Sequence, residues 1–564
     1  MGVPDYRLLK QTLKLDVAIR WLDIDAKDDF YPDPINFADL RTYASEYLTN
    51  REYRMLQIDT YPYWKEFVPK KSGMLREAIW LHPVHRILFL SILRHLLARL
   101  DSKILPEVYS YRLDEPYELD KYPFGRRMDR WKQFHNDFRE AALDPSTGAV
   151  LLTDIASYYD HISCDQMCMR IGSMLGLTID ETDEAMISLL GRLLAMWSTD
   201  VCGIPHNYDP SSFFGSLYLH NVDHEMVSNR YLYFRWVDDI RIVTKSKEQA
   251  IRALQFLQRT LAQHRLFLAT DKTYIFTKDD PRFANLLDVE DDQVLSNAEE
   301  IIASGDRSRI ETIIDQLFSR LEFHAGPDGD DRKFRAFANR LLDTGDYAEI
   351  KQNIHPRLRE FVIPRLITHP ERSDYWTKLL SVEPSNSTIE TVQRLLADQP
   401  SMFDWQRFHL WKLALYLPKP LPRAILDKAI AVSGSRLSEA VAAQAIVFVG
   451  KHGDNTQREL LFGNHFTPQR STLAQRAVLI AIQELPERQK EYLFKRALEI
   501  NSDHMELVKY LSNLSSPNYG EKLRTERHCM ETPRKVETYL RRGIGLVGGK
   551  IVRFRLSRRD YDYE

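Results

Sequence analysis

Residues 233–246 read YFRWVDDIRIVTKS, two aromatic and β-branched runs separated by adjacent acids, Asp238 and Asp239. Such runs favour paired, half-buried strands, which puts the acids at the tip of a hairpin. Asn-Gly or Asp-Gly would build that turn without setting two carboxylates side by side. Either the tip is a solvated loop, or it presents its acids to a cation.

Magnesium takes oxygen ligands, and two such ions about 4 Å apart stabilise the attacking and leaving oxygens of a phosphoryl transfer. A pair of ions needs a further carboxylate from another strand. LLTDIASYYDHIS (151–163) supplies one: Asp154 ends an apolar run, and Asp160 and Ser163 follow. Ser163 with Gln166 reads as a capping box opening the next helix. Taken singly, each signal also fits a bland reading, a solvated Asp-Asp turn or a helix-capping Asp.

Length and composition bound the rest. At 564 residues the chain exceeds what one core usually serves. It is 44% hydrophobic and 28% charged, with a net charge of −3, so no global basic field advertises nucleic-acid binding. The four cysteines, Cys164, Cys168, Cys202 and Cys529, form no paired zinc set and read as free thiols. MGVPDYRLLK resembles neither a signal peptide nor a myristoylation site, and ILFLSIL (87–93) is too short to span a bilayer. A soluble, cytoplasmic protein without a membrane partner is expected.

Organisation changes along the chain. Residues 1–60 are helical in pattern, and 61–285 alternate short β runs with helices, as in an α+β fold. Over 286–540 the strand signal nearly vanishes and amphipathic stretches recur irregularly, like HEAT-like repeats or an ordinary helical bundle. Residues 541–564 are basic, Gly-broken and tyrosine-ended, and read as a mobile tail.

Between the acidic sites lies GIPHNYDPSSFFGSLYLHNVD (203–223). Asp209 is placed to cap a helix and Pro210 to begin it. Ser211, Ser212, Gly215 and Ser216 give that helix a small-residue face that a nucleotide or template backbone could approach. LFLATDKTYIF (266–276) carries Lys272.

In this order the segments resemble the reverse transcriptases. Residues 154–160 look like motif A, with Asp154 as metal ligand and Tyr159 as the gate against the sugar hydroxyl. Residues 203–223 resemble motif B, RWVDD (235–239) motif C, and Lys272 the motif D lysine. Upstream, VPKKSGMLREAIWLHPVHR (68–86) resembles the fingers hairpin, where Lys70, Lys71 and Arg76 face the incoming triphosphate and Arg86 matches a fingers arginine; YSYRL (109–113) fits the segment before the palm. His206 replaces the usual Gln, Asn207 the usual Gly and Trp236 the usual Tyr, which puts ordinary templated synthesis in doubt.

A fingers-and-palm core joined to a long helical C-terminus resembles the bacterial abortive-infection (Abi-type) reverse transcriptases of phage defence. That resemblance implies an α+β reverse-transcriptase fingers and palm followed by an all-α HEAT-like domain. It implies a nucleotidyltransferase that adds dNTPs without a template, primed from a protein tyrosine, so that single-stranded DNA stays attached to a homo-oligomer. Asp154, Asp238 and Asp239 are expected to hold two Mg²⁺ (Mn²⁺ as substitute), Lys272 to protonate pyrophosphate, and Gly203 and Ser211 to shape the dNTP pocket. Tyr561, Tyr563, Tyr31, Tyr61 and Tyr63 are equivalent priming candidates. The alternatives are a conventional reverse transcriptase using an RNA template and an RNA partner, and an idle palm serving as a protein-binding scaffold.

Overall fold

The computed structural model describes residue 9, residues 12–520 and residues 544–547 and 550–553, apart from 52–53, 115, 119, 284–288, 327–328, 345–347, 383–384, 399–402, 418–420 and 436–437. Strands β1 (Trp64–Pro69) and β2 (Leu75–Trp80) form a hairpin. β3 (Ala149–Thr153), β4 (Leu232–Trp236), β5 (Asp239–Thr244) and β6 (Tyr274–Thr277) form a four-stranded sheet in the order β4-β5-β3-β6. Every pairing in that sheet is antiparallel, with Thr153 opposite Ile240 and Trp236 opposite Asp239.

Period-2 alternation decides what each face of β4 meets. Phe234 and Trp236 lie on the face covered by the helix Arg127–Leu143, where Trp131 meets Trp236 at 4.9 Å and Phe138 meets Phe234 at 6.0 Å, ring centre to ring centre. Tyr233 and Arg235 point the other way and are fully buried. The helix Lys247–Ala262 packs Ala250, Ala253, Leu257 and Leu261 inward, against β3, β5 and β6. The apolar run 87–93 lies within the buried helix Pro83–Asp101. Among the described residues no helix is long and apolar enough to cross a membrane.

By packing, the chain divides into two units. The first comprises Met1–Val68, Leu75–Asp288 and Ser433–Tyr519; the second comprises Pro69–Met74, Val289–Val432 and Gly520–Glu564. An α+β part and a helical part are therefore present, but the helices of 286–540, expected as one domain, are shared between both units. Buried ion pairs explain this, and composition does not reveal them. Arg476, in the helix Thr472–Ala481, donates to Asp33 at 2.6 and 3.1 Å and to Asp39 at 2.9 and 2.8 Å, with all three residues buried. Arg51 reaches Glu506 at 3.0 Å, and Glu66 on β1 accepts from the Ser438 hydroxyl at 2.8 Å and the Ala440 amide at 3.0 Å. Gly450 lies so close to the helix Thr472–Ala481 that a Cβ there would meet the Ala481 Cα at 2.3 Å.

In the second unit, aromatic residues from three helices make the core. Phe334 in Asp331–Thr344 and Phe361 in Ala348–Thr368 pack on Trp376 in Ser373–Leu380, with ring centres 4.9 and 6.0 Å apart. The tail read as mobile contains a hairpin of β7 (Ile544–Val547) and β8 (Lys550–Arg553). A strand signal was hidden there by the surrounding basic and Gly residues. Tyr561 and Tyr563 lie outside the described residues.

Arg476→Ala would leave two buried carboxylates unpaired, and urea unfolding should show a loss of about 3–5 kcal/mol. A loss below about 1 kcal/mol, typical of a surface pair, would show that this network does not hold the C-terminal helices to the N-terminal ones.

Candidate active site

The tip between β4 and β5 is a two-residue turn, Val237–Asp238, closed by Trp236 opposite Asp239. Val237 has φ 51°, in the left-handed region that a β-branched residue rarely enters. Two contacts hold it there. Its amide donates to the Ser110 hydroxyl at 2.9 Å, and its carbonyl accepts from Arg235 at 2.8 Å. Arg235 in turn donates to both Asp223 oxygens, at 2.7 and 2.6 Å, and to the Ser216 carbonyl at 3.0 Å. Burial disfavours the Arg235 charge, but Asp223 outweighs it and keeps the guanidinium above its ordinary range. The segment Glu107–Ser110 runs beside β4, with the Tyr109 amide donating to the Arg235 carbonyl at 3.1 Å.

Asp154 directly follows Thr153, which is opposite Ile240, and Asp239 directly precedes Ile240, so the ends of β3 and β5 bring the two acids to the same end of the sheet. Asp154, Asp238 and Asp239 are all half-buried. The Lys272 ammonium binds Asp154 Oδ2 at 2.9 Å, and Arg241 binds Asp239 Oδ2 at 3.3 Å. Burial lowers the Lys272 pKa, yet Asp154, Asp238 and Asp271 more than reverse this and hold it above the ordinary 10.5. Among the described residues no three His, Cys, Asp or Glu side chains are gathered closely enough to hold a metal. The three acids themselves offer carboxylate oxygens, the donors a hard divalent ion takes.

Behind Asp154, the chain is tied to residues 203–216. The Tyr159 hydroxyl donates to Ser212 Oγ at 3.1 Å, and the Tyr159 ring lies 4.9 Å from that of His206, centre to centre. His206 Nε2 contacts Asp160 at 2.9 Å. Gly203 has φ 99°, which an L side chain would strain, and its amide donates to the Ile162 carbonyl at 2.9 Å. The helix Asp209–Tyr218 is buried throughout. Its small face does not lie open for a ligand: Ser212 meets Tyr159, Ser216 meets Arg235, and the Gly215 carbonyl accepts from Tyr158 at 2.5 Å. Ser211 is fully buried, and its hydroxyl has no hydrogen-bond partner. Tyr208 stands at the N-cap, not Asp209, which is inside the helix and pairs with Arg127 at 3.1 Å. Ser163 does cap its helix, whereas the Gln166 side chain accepts from the Tyr218 hydroxyl instead of closing a capping box.

Arg76 lies over the Phe30 ring at 5.9 Å. Lys70 and Lys71 belong to the second unit, where burial pushes the Asp331 pKa up but Arg372, and to a smaller extent Arg335 and Lys71, hold it below its ordinary range. Arg86 is structural: it binds Asp25 and Asp29, each at 2.5 Å, with Arg86 and Asp25 buried and Asp29 half-buried. Of the tyrosine candidates, Tyr31 is buried and donates to the Phe67 carbonyl at 2.8 Å, Tyr61 is buried and Tyr63 is half-buried. Asp223, Arg241 and Ser110 were missed in the sequence. The Arg-x-Val-Asp-Asp-x-Arg spacing flanking the acids was the available signal for the two arginines.

No family model and no curated protein matches the chain. Solved structures with a similar trace include apo telomerase from Candida tropicalis, at 10% identity over 84% of this chain and 74% of that one, with a TM-score of 0.28. Telomerase from Candida albicans, in complex with a fragment of telomeric RNA, shows 11% identity over 84% and 68%, with a TM-score of 0.30. These overlaps are too loose to carry the fold or the chemistry, which rest on the register and contacts above.

Since its folded pKa is raised, the Lys272 ion pair contributes below about pH 10.5 and is lost as pH rises through the folded value. Asp154→Asn should lower the Lys272 pKa, read by NMR titration of the ¹⁵N-labelled ammonium. An unchanged value would sink the coupling.

Proposed function

We propose that this chain is a reverse-transcriptase-like nucleotidyltransferase of phage defence that adds dNTPs without a template, starting from a protein tyrosine and working as a homo-oligomer. One observation carries the reading: the sheet register sets Asp154 beside the Asp238–Asp239 tip, with Lys272 bound to Asp154 at 2.9 Å. Asp154, Asp238 and Asp239 would hold the Mg²⁺ ions, which when bound polarise phosphate oxygens and activate the attacking hydroxyl.

The chain's own groups do the rest. Lys272, kept protonated by its acidic neighbours, supplies the proton to departing pyrophosphate. Tyr159, fixed by Ser212 and stacked near His206, excludes a sugar 2′-hydroxyl. Arg76 and the hairpin lysines Lys70 and Lys71 neutralise triphosphate charge. His206, held by Asp160, occupies the place where a template would be positioned, which favours untemplated addition. The second unit, with its consecutive helices, is read as HEAT-like.

A second reading is favoured by the same ion pairs. With Lys272 on Asp154 and Arg241 on Asp239, the acids are already neutralised, as suits an idle palm that serves as a scaffold.

Incubating the purified chain with labelled dNTPs and Mg²⁺ separates these readings. Incorporation without added template, resistant to denaturation until a nuclease releases it, is expected. Asp238→Ala should reduce it about a hundred- to a thousandfold, on the scale of losing a charge-stabilising group, without changing oligomer size. Synthesis that requires an RNA template would remove the untemplated reading, and no incorporation at all would leave the scaffold.

A further inference from the structure

The helix His220–Ser228 reads HNVDHEMVS and carries two histidines four positions apart, which sets them on one face, one turn from each other. That spacing alone occurs on many solvated helices, but three observations set this pair apart. The His220 and His224 ring centres are 4.4 Å apart, with the ring planes inclined at 72°. His224 is exposed and His220 half-buried, so solvent reaches the pair. Among the described residues, neither imidazole is held by a hydrogen bond.

Two histidines at this spacing on a helix can share one metal ion. Metal–imidazole bonds of about 2.0–2.1 Å, at an angle of about 90–110° between them, place the two ring centres about 4.5–5 Å apart. The observed separation needs almost no adjustment of either side chain. A ligating imidazole must also be unprotonated. Burial, and next the neighbouring His224, push His220 down to about 4, with Asp223 opposing and Arg170 and Arg235 adding, so the ring is neutral at pH 7. Imidazole nitrogen suits zinc, copper or nickel, whereas magnesium takes oxygen, so this pair and the acids at the hairpin tip select different ions.

Between the two histidines stands Asp223, whose oxygens bind Arg235 at 2.7 and 2.6 Å, and Arg235 in turn binds the Val237 carbonyl at 2.8 Å. We propose that His220 and His224 bind a divalent transition metal of the imidazole-preferring class, Zn²⁺, Cu²⁺ or Ni²⁺, and that the ion clamps the helical turn carrying Asp223. The remaining coordination positions fall to water, since among the described residues no third His, Cys, Asp or Glu is gathered with the pair. The site depends neither on the acids at the hairpin tip nor on polymerase activity.

The test takes the full chain, stripped of metal with a chelator, and titrates it with CuCl₂ under electron paramagnetic resonance. One copper ion coordinated by two imidazole nitrogens is expected. Losing even a group that supports a ligand weakens metal binding about 10–100-fold, so losing a ligand in His224→Ala should weaken it at least about tenfold. His224 is exposed, so this variant keeps its fold, which circular dichroism checks. Asp238→Ala should leave the copper signal and its affinity unchanged, so failure of this site and failure of the polymerase reading are told apart. ZnCl₂ should raise the Tm of the unaltered chain and not that of His224→Ala, because the ion binds the folded helix. Copper held by a single nitrogen, an affinity that His224→Ala leaves unchanged, or a Tm that ZnCl₂ fails to raise or raises equally in both chains overturns the proposal.

Discussion

The hairpin tip stands on one buried cation. Arg235 points to the side of β4 opposite Trp236, is fully enclosed, and ties together Asp223, Ser216 and the Val237 carbonyl. A valine forced into the left-handed region costs on the order of 1–3 kcal/mol and persists only where its surroundings over-determine it. Here the guanidinium grips the carbonyl side of that residue and Ser110 the amide side. The geometry of the two acids is thus set one residue earlier, by a group that never reaches them.

Setting acids together raises a second problem, which the same sheet solves. Two carboxylates about 5 Å apart repel by about 3 kcal/mol at an effective dielectric of 20. Asp154 and Asp238 both act on the Lys272 charge, and Asp239 adjoins Asp238, so like charges gather at this end of the sheet. Lys272, just before β6, answers Asp154, while Arg241, two residues along β5, answers Asp239. The two cations differ in freedom. Arg241 is buried against Phe134 and Phe138, whereas the Lys272 side chain is 59% exposed. Arg241 is therefore a fixed neutraliser, and Lys272 is the one with room to leave its carboxylate.

What could be read from the sequence follows from range. Strands β3, β4 and β5, the hairpin turn and the strand-ending Asp154 are local patterns of apolar residues and lie where those runs place them, whereas β6 reads only as the surroundings of Lys272. Ser163 as a cap is equally local. The small face of 209–218 misled because its reading considered only what small residues admit. The buried helix gives that room to Tyr158, Tyr159 and Arg235, two of them aromatic rings from the preceding segment. Arg235 was legible only as a strand residue, since its partner Asp223 lies across a helix and a turn. The division of the C-terminal helices is not local either, because it depends on groups 372 to 455 positions apart.

Those distant pairs change what the C-terminal helices are. Asp33 and Asp39 lie wholly within the protein and are satisfied by Arg476; Arg51 is satisfied by Glu506, and Glu66 by the start of the helix Glu439–His452. Without Ser433–Tyr519 the remaining part of the first unit would keep four buried charges and lose their counter-charges or donors. Stranding one buried charge costs several kcal/mol, so four exceed the whole stability of a typical domain. The helices of 433–519 are consequently part of the unit that builds the sheet and its tip, although the sequence places them beyond 140 residues of the second unit.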